Sequence, residues 1–400
     1  MSKPRNILMI GPWPSVFDMP GGGTPRVHDL LQTLMDDGYT IDFLAPKPKV
    51  DEQDWFPANE RLRVHRYSPG RVPTRGLLRR CAAWLERTVR LTVSGVRVAR
   101  RQGRPLVIYA MSSLTIPAGV CCGWLLRRPT IGALFGTFLY PHLGSLRGRL
   151  NLFEEVIAFK SPVDRLLIVN DGTRGDDVAR ALGVPNSRVR FWMHGLDLES
   201  CRAAKEADGR GELDLPSDVP VVVWASRLAS WKRVDRMLLA APTVLAAHPN
   251  TVFAISGDGP ERQELERLSR KLSIEHAVRF MGGLARDVNL RLIAAADVFV
   301  SLYDYSCVGV ALLEALGCGV AVVVADTGAT RDFVEDGVNG VVVTPGSASE
   351  TASAIIALIS DPTMRARLGD NARRLAEERF LTPEQRSSLE LETIAELTSC

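Results

Sequence analysis

The chain of 400 residues contains no Asp-x-Asp triplet, no Cys-x-x-Cys pair and no long apolar run. The missing carboxylate pair removes one common means of holding a divalent cation against phosphate. The seven cysteines show no metal-ligand spacing. An odd, unpatterned set of thiols points to a reducing compartment and away from a disulfide framework. No stretch reaches the ~20 apolar residues that a membrane span requires. The amino terminus runs directly into strand-like sequence without a signal-peptide apolar region, so a cytoplasmic protein is expected. A formal net charge of +3 is too small to argue for a nucleic-acid partner.

Strand-like runs alternate with helical periodicity along the whole chain. Ile7-Leu-Met-Ile10 is followed by a long loop containing Gly21, Gly22 and Gly23, then by a helix with Val27, Leu30, Leu31 and Leu34 at helical spacing. Further strand-like runs lie at 40–44, 64–67, 105–110, 129–135 and 165–169. Such alternation implies a parallel sheet covered on both faces. Residues 199–218 are rich in charge, Gly and Pro and read as an interdomain linker. A second set of strands then begins at 220–225 and recurs at 251–255, 278–281, 298–300, 320–324 and 340–343. Single cores rarely exceed roughly 250–300 residues, so two domains are expected. The fold class is α/β: two Rossmann-like domains, 1–198 and 199–376, facing each other across a cleft lined by strand-end loops.

The most informative run is Asp304-Tyr-Ser-Cys-Val-Gly-Val-Ala-Leu-Leu-Glu-Ala-Leu-Gly-Cys-Gly319. It joins a strand to an apolar helix through a glycine-containing loop. Backbone N–H groups of Val308, Gly309 and Val310 would face a phosphate at the helix start, where the dipole favours negative charge. Glu314, set back in the helix, offers acceptors to the hydroxyls of a ribose. After the first strand of the second set comes Ser226-Arg-Leu-Ala-Ser-Trp-Lys232. Arg227 supplies a fork of donors and Lys232 a mobile point charge, a pair suited to a diphosphate. Taken alone, they read more readily as two solvated surface cations.

These residues resemble the nucleotide-binding signature of the retaining glycosyltransferases of family GT4, which have the GT-B fold. The segment Glu314-Ala-Leu-Gly-Cys-Gly319 and the Arg227-Leu-x-x-x-Lys232 spacing carry the resemblance. The first acid of the family pattern is absent: eight residues before Glu314 stands Ser306. The resemblance implies that Arg227 and Lys232 neutralise the leaving diphosphate, and that Gly22 and Gly23 belong to a loop closing on the donor. Met281 would lie where members contact the base through backbone groups. His142 and Thr137 are candidates to bind donor or acceptor hydroxyls, although a lone loop histidine is commonly a surface residue. His194 would line the cleft at the hinge, and residues 377–400 would cross back to the first domain.

The resemblance implies a metal-independent glycosyl transfer, with retention of configuration, from a nucleoside diphosphate sugar to an acceptor bound by the first domain. The acceptor would be a small molecule, a glycan or a lipid-linked species. No cofactor is expected; the nucleotide sugar is a substrate. A non-catalytic sugar-nucleotide binder and a sugar-nucleotide epimerase are the alternatives, the former suggested by Ser306. One feature lies outside this scheme. Between Arg71 and Arg104 there are ten arginines and a single acid, Glu86. Arg79, Arg90, Arg97 and Arg101 fall within about 40° of one another at ~100° per residue. That pattern reads either as a solvated outer face or as peripheral contact with the inner membrane surface.

Overall fold

The computed structural model describes residues 5–14, 27–48, 59–68 and 76–398. Gly21, Gly22 and Gly23 lie outside the described residues. The first sheet comprises β1 (Asn6–Ile10), β2 (Thr40–Pro46), β3 (Leu62–Tyr67), β4 (Val107–Met111), β5 (Thr130–Leu134), β6 (Arg165–Val169) and β7 (Val189–Trp192). The second comprises β8 (Val221–Ala225), β9 (Val252–Ser256), β10 (Val278–Gly282), β11 (Val298–Ser301), β12 (Ala321–Ala325) and β13 (Val341–Val343).

Helices of the first half are α1 (Val27–Asp36), α2 (Leu77–Gln102), α3 (Ile116–Leu126), α4 (Leu146–Asn151), α5 (Phe153–Lys160) and α6 (Gly175–Ala181). They continue with α7 (Leu198–Glu206), α8 (Gly209–Glu212), α9 (Val234–Ala247), α10 (Arg262–Lys271) and α11 (Arg286–Ala294). The last four are α12 (Val310–Gly317), α13 (Ala348–Ser360), α14 (Pro362–Arg379) and α15 (Pro383–Thr398).

The strand orders are β3-β2-β1-β4-β5-β6-β7 and β10-β9-β8-β11-β12-β13. All pairings between these strands are parallel, as in Ile7↔Ile41 and Val298↔Val222. Strands such as β1, β8 and β12 are buried along their full length, which explains their unbroken apolar sequences: helices cover both faces. Each sheet reverses its order once, between β1 and β4 and between β8 and β11. Ligands of open parallel sheets bind outside the strand C-termini at such a reversal. The strand β7 escapes sequence reading because it is a four-residue, half-exposed edge strand.

The segment 199–218 is no linker. It forms α7 and α8, capped by the Asp197 and Asp208 carboxylates, which accept from Ser200 N and Gly211 N, both at 2.9 Å. Cys201, Ala204 and Leu215 are buried in the core of the second sheet. Most of the charge that suggested a linker lies on the exposed side of these helices, while Lys205 and Arg210 turn inward to the Ala294 and Ala295 carbonyls at 3.0 and 3.2 Å.

The carboxyl-terminal helices divide between the sheets. Helix α14 packs on α12 and β12, whereas α15 packs on α1 and β4. Ile394 is fully buried in the core beneath α1. Tyr109 OH donates to the Glu390 carboxylate, and Arg386 donates from Nε to the Met193 carbonyl at 3.0 Å.

Candidate active site

The cleft between the two sheets encloses a cavity of about 590 Å³. On the second-domain side, β8 delivers Ser226 and Arg227 to its wall. The neighbouring loop after β9 presses so closely that a Cβ on Gly257 would stand 1.9 Å from the Ser226 carbonyl oxygen. With φ at +129°, that position suits glycine on both counts. Arg227 is exposed and lines the cavity.

Lys232 closes a 3-10 turn, Ser230–Lys232, ahead of α9. Its ammonium lies 3.6 Å from the Tyr303 ring centre and 4.2 Å from that of Trp231. Burial pushes its pKa down to about 7, against the opposing pull of Asp171. Gly309, which precedes α12, faces it: a Cβ there would come within 4.0 Å of Nζ. No side chain caps α12, so its first amides open into the cleft beside the ammonium. An anion between Lys232 and Val310 would meet both positive ends.

The amides left open by the loop begin at Val310, later than the sequence suggests. The Val308 amide donates to Ser306 Oγ at 3.0 Å and the Gly309 amide to the Cys307 carbonyl at 2.9 Å. The loop satisfies its own donors before the helix starts, so Val308 and Gly309 shape the cradle without offering it their N–H groups. Ser306 lines the cleft, but its single proton goes to the Asp171 carbonyl of the first domain at 2.7 Å. Nearby, the Ala329 amide donates to the Gly172 carbonyl at 2.7 Å. Glu314 also lines the cleft; it is the fifth residue of α12 and only 4% exposed.

The first-domain wall comes from the ends of β5 and β6. Thr137 is buried, with its hydroxyl donated to Glu155 and its amide to Thr173 Oγ1 at 2.9 Å. Burial raises the pKa of Glu155, and it raises that of Asp171 despite hydrogen bonds from Thr173. Phe138 reaches across the cleft, its ring centre 4.8 Å from that of Tyr305 and 5.6 Å from that of Trp231. His194 lines the same cavity just after β7.

Two expected residues stand apart from this cavity. His142 sits in the short turn Tyr140–His142, against α4, where a Cβ on Gly148 would meet its Cβ at 2.7 Å. Met281 lies within β10 and packs on the second core, while Leu284, Arg286 and Asn289 reach the cavity instead. Sequence reading missed Asp171, Glu155, Trp231 and Tyr303. Isolated acids and aromatics carry no spacing signal; only their positions at strand ends, already legible for Arg227, could have marked them.

The geometry can be set beside known proteins. Residues 206–375 match the family described as "Glycosyl transferases group 1", and residues 21–195 match "Glycosyl transferase 4-like domain". Glycogen synthase of Mycobacterium tuberculosis is 25% identical over 382 residues, covering 92% of this chain and 89% of that protein. Alpha-D-kanosaminyltransferase of Streptomyces kanamyceticus is 29% identical over 214 residues, covering 52% of this chain. The match spans about half the length of that relative, 54%. The crystal structure of Anabaena HepE in complex with UDP-glucose superposes with a TM-score of 0.73 at 22% identity, covering 97% of this chain and 99% of that one. One family match lies on each sheet, in the order in which the sheets build the cleft, and the chain accordingly belongs to the GT4-type glycosyltransferases of the GT-B fold.

Proposed function

We propose that the protein transfers a sugar from a nucleoside diphosphate donor to an acceptor held over the first sheet, with retention of configuration and without a metal ion. The observation that carries this reading is the meeting of Lys232 with the uncapped start of α12 at the sheet reversal between β8 and β11. That arrangement matches a diphosphate in charge and in donor geometry. The complex of HepE with UDP-glucose supports the donor class.

In this reading the bond from the anomeric carbon to the diphosphate oxygen breaks, and a bond to the acceptor oxygen forms on the same face of the sugar. Charge developing on the leaving diphosphate is met by Lys232, Arg227 and the α12 amides, which stabilise the transition state more than the ground state. The acceptor proton passes to a base on the first-domain side. Asp171 and Glu155 line that side, and burial raises the pKa of each from its ordinary value. The aromatic contacts of Phe138 close the cleft and limit hydrolysis by water.

Nucleoside diphosphate release from a panel of UDP- and GDP-sugars, measured with a chelator present, tests the reading. Activity should persist, and Arg227→Ala or Lys232→Ala should lower kcat by about tenfold to a thousandfold, more than either raises KM. Loss of activity with the chelator, or indifference to both substitutions, would overturn the clamp. The anomeric configuration of the product, read by NMR, tests retention.

A further inference from the structure

Helix α2 has 26 residues and is about 39 Å long. One side, including Leu91, Gly95 and Val98, is buried against the first sheet and α3. The opposite side exposes Leu78 by 86%, Leu85 by 57%, Val89 by 52% and Val93 by 50%. At ~100° per residue these four share an arc of about 80°. Arg79, Arg90, Arg97 and Arg101 occupy the next arc, roughly 40° further round, and all are exposed.

Neighbouring helices extend the same character. Trp124 and Leu125, at the end of α3, are 68% and 65% exposed, and Leu146 and Leu150 of α4 are 75% and 46% exposed. Among the described residues, nine of the thirteen large exposed apolar side chains lie on α2, α3 and α4; Leu239 and Val338 alone belong to the second domain. From residue 76 to residue 150 there are twelve arginines, no lysine and one acid, Glu86, which is paired with Arg90 at 2.6 Å. A face kept in solution by its charges mixes both signs. This one combines apolar side chains with arginine almost alone.

We infer that the outer face of α2, with the ends of α3 and α4, docks on a bilayer rich in anionic phospholipid. Leu, Val and Trp side chains suit the acyl boundary, and guanidinium groups on long apolar stems suit lipid phosphates. No described helix is long and apolar enough to cross a membrane, so the contact is peripheral. Placement relative to the cleft gives the contact a purpose. Arg80 at the start of α2 donates to the Asn151 carbonyl of α4 at 2.9 Å, and α4 follows the β5 loop that carries Thr137 and Phe138. Docking therefore sets the first-domain side of the cleft near the lipid headgroups, where a lipid-anchored acceptor would present its hydroxyl. That last step rests on the proposed transfer reaction; the docking does not.

Co-sedimentation of the full chain with phosphatidylcholine vesicles, with and without roughly one-third phosphatidylglycerol, tests the docking. Binding should require the anionic lipid, weaken with salt, and fall about tenfold or more in Arg79→Glu/Arg97→Glu/Arg101→Glu. Leu85→Ser/Val89→Ser/Val93→Ser should weaken it independently of salt, while nucleoside diphosphate release in solution stays unchanged in both variants. Equal binding to neutral vesicles, no binding to either, or full binding by both variants would overturn the proposal. So would lipid-independent self-association that the apolar variant abolishes, since the face would then join two copies of the chain. Vesicle binding without any turnover would instead sink the transfer reaction and leave the docking standing.

Discussion

At the scale of single residues, Lys232 has the clearest consequence. Its ammonium loses its proton near pH 7, because burial costs the charged form more than the pull of Asp171 returns. A diphosphate restores the charge, so binding above pH 7 takes up a proton. The affinity for nucleoside diphosphate should therefore fall between pH 7 and 9, by up to about tenfold per unit. Calorimetry in two buffers of different ionisation enthalpy reads the proton directly. Lys232→Met should bind more weakly and without this slope; an unchanged slope would place the titrating group elsewhere. Glu314 illustrates the opposite situation. Its carboxyl is almost entirely buried in α12, which ties its role to the helix and to the cleft together.

At the scale of elements, the loop before α12 and the loop after β6 are built around each other. Gly172 has φ of +74°, and a Cβ there would stand 2.3 Å from Ser306 Oγ and 2.8 Å from the Val308 side chain. The glycine permits the Ser306 bond to Asp171 across the domain boundary. Gly172→Ala should force the loops apart, at a cost of about 1–3 kcal/mol to the closed arrangement. Small-angle scattering should show a wider separation of domains, and kcat should fall while the thermal transition moves little. An unaltered scattering profile with normal turnover would mean that the two loops adjust without opening. The missing first acid of the family pattern has a counterpart here: a serine is short enough to sit against the Gly172 backbone.

At the scale of the whole molecule, α15 straps the end of the chain onto the first sheet. Ile394 is fully buried against the α1 side, and Glu390 holds both Arg386 and the Tyr109 hydroxyl. Burial and the adjacent Glu390 carboxylate raise the Tyr109 pKa well above its ordinary value, so the phenol remains a donor across the physiological range. Ile394→Ala should cost about 2–5 kcal/mol, borne by the first domain. Denaturant unfolding followed by domain-specific proteolysis should show the first-domain fragment released earlier, with the second domain unaffected. Simultaneous loss of both would mean that the two sheets unfold as one unit.

Much of the architecture was legible because it repeats. Unbroken apolar runs such as Val221 to Ala225 recur at intervals that only a parallel sheet under two helical layers explains. The uncapped start of α12 and the cations Arg227 and Lys232 were readable because helix ends and strand ends have local signatures. The rest depended on distance in three dimensions. Asp171 and Glu155 acquire raised pKa values from burial that no neighbour in sequence confers. Val308 and Gly309 lose their expected donors to hydrogen bonds within the loop, and His142 is turned onto Gly148 by the packing of α4. Sequence alone determined that there are two sheets, and that a candidate site stands at the start of one helix, because periodicity and helix termini are local properties of the chain. Which groups face that site, and which are spent holding the two halves together, was decided by tertiary packing, because desolvation and hydrogen-bond competition arise only when distant segments meet.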